Sequence, residues 1–260
     1  MDSELIAHCG NELYTAMQER QTVAPLTDRH PDISIDDAYH ISLQMLQRRM
    51  EAGENVIGKK IGVTSKAVQN MLNVHQPDFG YLTNTMVFND EMPISKLLIQ
   101  PRAEGEIAFV LKKDLIGPGI TNADVLAATE VVMPCFEVVD SRIEDWNIKI
   151  QDTVADNASC GLFALAEAAA VDPRKIDLAT CGMVVSKNGS TISTGAGAAA
   201  LGSPVNCVAW LANTLGRFDI GLKAGEVILS GSLVPLEPVV AGDTMSVRIG
   251  GMGRCDLHFS

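Results

Sequence analysis

Basic residues are in short supply. The 260-residue chain has 20 Lys and Arg against 32 Asp and Glu, a formal net charge of −12. That balance argues against nucleic acid as a partner, because a phosphate backbone is met by basic surface that displaces its counterions. An anionic small molecule would need local positive charge, from a lysine or a metal ion. Long apolar runs are missing too, and nothing approaches the roughly 20 residues of a membrane-spanning helix. Met1-Asp2-Ser3-Glu4 has neither the basic nor the apolar region of a signal peptide. The six cysteines (Cys9, Cys135, Cys160, Cys181, Cys207 and Cys255) form no Cys-x-x-Cys pair, and the histidines have no ligand spacing. Neither a zinc site nor a disulfide framework is indicated. Internal repeats and low-complexity tracts are absent. The expectation is a soluble, cytoplasmic, globular protein with ample apolar material for a core.

Periodicity places helices mainly at the front of the chain. Ile6, Cys9, Leu13, Ala16 and Met17 share one face of a helix from Glu4 to about Arg20. Ser34 and Asp37 have capping-box spacing and open a second helix, ended by Gly53. Val56 to Val63 reads as a strand, and Thr64 or Ser65 caps a short helix to about Leu72. Gln76 to Gly80 reads as a turn, and Tyr81 to Leu111 as largely extended chain. A helix is expected from Thr121 to Met133, stopped by Pro134, then a strand over Cys135 to Asp140. Asn188-Gly189 predicts a hairpin between Met183–Ser186 and Ser190–Ile192. Ser203-Pro204 opens a helix to Leu215, and strands follow over Glu226–Ser230 and Thr244–Ile249. Helices first and strands later predict an α+β fold, with a helix-rich portion over 1–80 and a strand-rich domain over 81–260.

The chemistry gathers at Glu104-Gly105-Glu106. Side chains alternate along a strand, so the two carboxylates face the same way a few ångströms apart. Apolar residues continue both faces beyond them, and Glu137 lies in an equally apolar run. Charged residues at a strand edge are ordinarily solvated protection. Three carboxylates in apolar settings instead predict a divalent cation, and an all-oxygen set suits Mg²⁺ or Mn²⁺ better than zinc. Lys59 and Lys60 face opposite ways on their strand, one toward solvent and one inward, and spacing does not say which. Asp78, after Pro77, reads as ordinary turn chemistry, its side chain capping its own backbone. Asp140, Arg142, Asp152, Asp156, Asn157 and Ser159 form a dense polar region that spacing does not resolve. Gly195 to Ala200 matches a dinucleotide fingerprint poorly, because a hairpin strand precedes it and Ser203-Pro204 delays the helix.

Six motifs in order carry a family resemblance: Gly58 to Ser65, Gln76 to Gly80, Pro101 to Glu106, Glu137 to Arg142, Val154 to Ser159 and Gly225 to Gly231. The chain resembles, over nearly its whole length, the hydratase/decarboxylase family of aromatic meta-cleavage pathways, within the fumarylacetoacetate hydrolase superfamily. The resemblance implies a mixed β-roll core behind a smaller helix-rich N-terminal portion. It implies Mg²⁺ or Mn²⁺ on Glu104, Glu106 and Glu137, Lys60 and Asp78 as catalytic groups, and Ser159 and Asn157 as substrate contacts. The implied reaction is hydration of a small 2-hydroxy-dienoate (2-oxo acid) in the cytoplasm. Decarboxylation of 4-oxalocrotonate is the sister activity, and Asp78 within the Pro-x-x-Gly segment favours hydration. A homo-oligomer and a complex with the decarboxylase are implied as well, and a non-catalytic partner subunit is the third reading.

Overall fold

The computed structural model describes residues 1–260, with Met71 described by its backbone alone. The front of the chain is helical. α1 (Ser3–Glu19), α2 (Leu26–Arg29) and α3 (Ile35–Glu51) pack with a later helix, α7 (Ile150–Ala155), around Cys9, Leu13, Leu26, Ile41, Met45 and Val154. Asp2 caps α1, and the Ser34–Asp37 capping box opens α3, where both reciprocal hydrogen bonds form.

A large mixed sheet follows. β1 (Val56–Gly62), then α4 (Lys66–Met71), lead to β2 (Asp78–Thr83), β3 (Val87–Phe88) and β4 (Glu91–Met92). After α5 (Ile94–Leu97) come β5 (Arg102–Leu111), α6 (Asn122–Ala128), β6 (Thr129–Val139), and, past α7, β7 (Cys160–Leu165). The remaining elements are β8 (Gly182–Lys187), β9 (Ser190–Ala196), α8 (Pro204–Leu215), β10 (Val227–Leu229), β11 (Glu237–Pro238), β12 (Thr244–Ile249) and β13 (Gly253–Phe259). The strand order is β2-β1-β10-β5-β6-β7-β3, with β11 also on β5, and a second sheet runs β4-β13-β12-β8-β9. The fold is α+β, as expected. Residue 80, the expected boundary, sits inside β2, which is paired with β1 in the large sheet (Lys60 opposite Gly80).

The two sheets meet across β5 and β6. A Cβ on Gly105 would press into Met183 and Val247 of the second sheet, so this face of β5 carries Gly105, Ile107 and Phe109 into the core. Glu104 and Glu106 therefore point to the other face. That alternation makes one side of the large sheet a packed interior and the other a platform for side chains.

Three local expectations change. The helix expected to reach Met133 stops at Ala128, because Thr129, Val131 and Val132 are β-branched and pair with β5. Pro134 lies within β6. Its carbonyl accepts from Ala166 just past the end of β7, so its missing N–H falls where the ladder has already stopped. The turn expected at Gln76–Gly80 gives way at Asp78 to fully buried strand. β7, α7 and β13 were not anticipated, although β13 has plain alternation of Cys255, Leu257 and Phe259 into the core. The Asn188-Gly189 hairpin forms as expected, with φ of 53° and 81° at the two turn residues. No helix among the described residues is long and apolar enough to cross a membrane.

Candidate metal and acid–base site

Strand alternation builds the site. On β5, Glu104 and Glu106 share the platform face. On β6, Glu137 stands directly opposite Glu104. Ligand oxygens of the three carboxylates come within 4.8 Å of one another. Glu106 and Glu137 are fully buried and Glu104 is partly accessible. Glu106 Oε2 accepts a 2.8 Å hydrogen bond from the Gly231 N–H, while Glu106 Oε1 and both oxygens of Glu137 have no hydrogen-bond partner. Burial first, and then the neighbouring carboxylates, push Glu104 up to about 8 and Glu106 well above the usual carboxylate range. Orphaned carboxylate oxygens converging at one point are what a divalent cation satisfies. The residues fit Mg²⁺ or Mn²⁺ by donor type and by these unused lone pairs.

Lys60 comes from β1, two strands away from β5, and its Nζ lies 3.1 Å from Glu137 Oε1. Burial works against its charge, but Glu137 and then Asp78 hold the ammonium above its ordinary range. Asp78 opens β2 opposite Gly62. An ideal Cβ on Gly62 would collide with Asp78 Oδ1 and touch Lys60 Nζ, so acid and amine sit side by side above that glycine. Asp78 is raised by burial, against the opposing pull of Lys60, and its Oδ1 has no partner.

The expectation that one lysine of the pair faces solvent is corrected. Lys59 is also 3% exposed, because Glu226 on the opposite face accepts two hydrogen bonds from its Nζ, at 2.7 and 2.8 Å. Lys60 is the one facing the carboxylates.

Asn157 and Ser159 lie next to the platform, but their side chains are engaged by protein. The Asn157 amide bonds both backbone groups of Tyr81, and Ser159 Oγ pairs with Thr153 at 2.9 Å. Sequence reasoning missed Gly231 as the donor to Glu106. It holds φ +95°, and a Cβ there would collide with Thr64. It also left unresolved the buried pair of Arg142 and Asp156. Runs of polar letters around residue 150 announce a network without saying which members meet.

Comparison with known proteins identifies the family. Residues 54–259 match the fumarylacetoacetate (FAA) hydrolase C-terminal family. The chain is 76% identical over 222 residues to a 2-hydroxypent-2,4-dienoate hydratase of Pseudomonas putida, covering 85% of this chain and 100% of that protein. It is 60% identical to a 2-hydroxyhexa-2,4-dienoate hydratase of Comamonas testosteroni, over 100% of this chain and 99% of that one. Among solved structures, 4-oxalocrotonate decarboxylase from Pseudomonas putida G7, complexed with magnesium and adipate, superposes with a TM-score of 0.96. Its identity is 34%, over 100% of this chain and 99% of that chain. The chain belongs to the fumarylacetoacetate hydrolase family.

Proposed function

We propose that the protein adds water to 2-hydroxypenta-2,4-dienoate (2-oxopent-4-enoate), giving 4-hydroxy-2-oxopentanoate. The observation that carries this reading is the convergence of a buried acid and amine, Asp78 and Lys60, on a triad of incompletely bonded carboxylates. The hydratases at 76% and 60% identity support the same reaction class.

Glu104, Glu106 and Glu137 would hold Mg²⁺ or Mn²⁺, which when bound supplies Lewis acidity toward the substrate's carboxylate and 2-oxygen. The magnesium in the decarboxylase structure supports this choice of ion. Lys60 adds the positive charge that an otherwise acidic chain withholds from an anionic substrate. Hydration needs two proton movements. The 2-hydroxyl proton leaves as C5 gains one, giving the 2-oxo-3-enoate. Water then adds its oxygen to C4 as C3 takes a proton. Asp78 Oδ1 is buried and has no hydrogen-bond partner, and burial raises its carboxyl above the usual range against the pull of Lys60, so it is placed to take up a proton and pass it on. Lys60 Nζ, anchored on Glu137, orients the substrate oxygens beside it. The six unpaired cysteines suit the reducing cytoplasm, where we place the enzyme. Exposed Phe218, Val240 and Ile116 give apolar surface for a homo-oligomer or for a complex with a decarboxylase.

The test is turnover of purified protein with Mg²⁺ or Mn²⁺, followed by loss of dienoate absorbance and by product identification. The second reading, decarboxylation of 4-oxalocrotonate, is favoured by the structural likeness to that decarboxylase. Carbon dioxide release from the six-carbon dicarboxylate, without water addition to the dienoate, would replace the first reading with the second. Inactivity on both substrates, with tight binding to a decarboxylase, would make the chain a partner subunit.

A further inference from the structure

Three consecutive residues that carry side chains, Asn157, Ala158 and Ser159, hold left-handed backbone, at φ of 54°, 53° and 51°. Such a run is disfavoured for L-residues and persists only where the surroundings over-determine it. Arg142 supplies the clamp. Its backbone N–H and its Nε donate to the two carboxylate oxygens of Asp156. Its Nη2 donates to the Asp156 carbonyl at 2.6 Å, and its Nη1 to the Cys160 carbonyl at 2.9 Å. One buried guanidinium thus grips the residues immediately before and after the triplet. The Asp140 N–H adds a 2.9 Å bond to the Ser159 carbonyl.

The triplet in turn grips β2. Asn157 Oδ1 accepts from the Tyr81 N–H at 2.8 Å, and Nδ2 donates to the Tyr81 carbonyl at 3.0 Å. Gly80 lies beneath, where a Cβ would collide with the Asn157 carbonyl. Gly80 is the residue opposite Lys60, and Asp78 stands two positions before it on the same face. The left-handed turn therefore bears on the strand that carries the acid, at the point where that strand meets the amine.

We infer that Arg142, Asp156 and Asn157 are positioning residues for hydration: the clamp holds the triplet in the shape that seats β2, and so sets Asp78 against Lys60. The inference rests on the hydratase reading above. A buried ion pair kept for stability alone would have no need of a left-handed triplet, since apolar residues of similar volume serve as well. The metal triad stands on β5 and β6, and none of the hydrogen bonds of Arg142, Asp156 or Asn157 goes to it.

Two variants test this. Asn157→Gly tolerates the left-handed conformation and removes only the two bonds to Tyr81. Arg142→Lys keeps the charge and loses the fork. The expected result in both is a kcat lowered by at least about tenfold, with KM for the dienoate and Mn²⁺ affinity each within about threefold of wild type. Amides of β2 should exchange with deuterium at least about tenfold faster, while those of β5 keep their protection. A raised KM with kcat retained would overturn the inference and make Asn157 a substrate contact. So would retained kcat with faster exchange, or a joint fall of kcat, metal affinity and thermal midpoint. Should Arg142→Lys fail to fold, Asn157→Gly decides alone. Exchange is read without substrate, so failure of the hydratase reading would appear as wild-type inactivity, and unaltered β2 exchange as failure of this one.

Discussion

The two faces of β1 bury neighbouring lysines to the same depth and treat them in opposite ways. Lys59 and Lys60 are each 3% exposed. Lys59 meets one carboxylate and uses both of its oxygens, and that same Glu226 also accepts from the Lys223 N–H at 2.9 Å. The Tyr81 ring covers the ammonium, 5.9 Å from its centroid. That face is closed. On the other, Lys60 is one ammonium among four carboxylates, those of Asp78, Glu104, Glu106 and Glu137, and four of their oxygens have no hydrogen-bond partner, Lys60 lying as an ion pair beside one of them. Burial of a charge is thus a poor mark of function, because a paired charge is ordinary structure. Incomplete pairing is the better mark, because the fold tolerates it only where a ligand completes it.

The contrast can be broken by substitution. Glu106→Ala should weaken Mn²⁺ binding by at least about a hundredfold and abolish metal-dependent turnover, since loss of a direct ligand exceeds the effect of losing its support. Circular dichroism should show the fold retained, and retained activity in excess chelator would remove the metal from the mechanism. Asp78→Asn and Lys60→Met should each lower kcat by about a hundredfold or more, with Mn²⁺ affinity nearly preserved. On the closed face, Lys59→Met should cost about 3 kcal/mol of stability by stranding Glu226, measured by urea unfolding, and leave kcat within about threefold. If Lys59→Met lost activity as Lys60→Met does, the two faces would not differ in the way described.

The open face was more legible in the sequence than the closed one. Glu104 and Glu106 share a face because β-strand side chains repeat every two residues, and that holds wherever the strand pairs. Glu137 was identifiable from its apolar flanks, as a charge that needed compensation. The partner of Lys59 was not, since Glu226 lies 167 positions away and meets it only because β10 runs parallel beside β1. The same limit applied to Pro134. Read locally it ends a helix, and only the length of β7 makes it acceptable in a strand. Asn157 is a substrate contact only as the family resemblance implies it, and in the structure its amide is engaged by the backbone of β2. Local chemistry predicts which groups need partners, and sheet order decides which partners they receive.

The smallest effect concerns pH in the metal-free protein. Glu104 is held up to about 8 and Glu106 well above its usual range, by burial first and by neighbouring carboxylates second. An acid whose folded pKa exceeds its unfolded value binds its proton more tightly when folded. Its stabilising contribution is complete below the unfolded carboxyl range, near ~4.3, and is lost as pH rises toward the folded value. The metal-stripped protein should therefore lose a few degrees of Tm, roughly, between pH 5 and pH 8. Saturating Mg²⁺ should flatten most of the dependence, since the cation takes over the compensation that protons provide without it. A metal-free Tm that stays level or rises over this window would mean that Lys60 alone balances the cluster, and the distinction between the two faces of β1 would collapse.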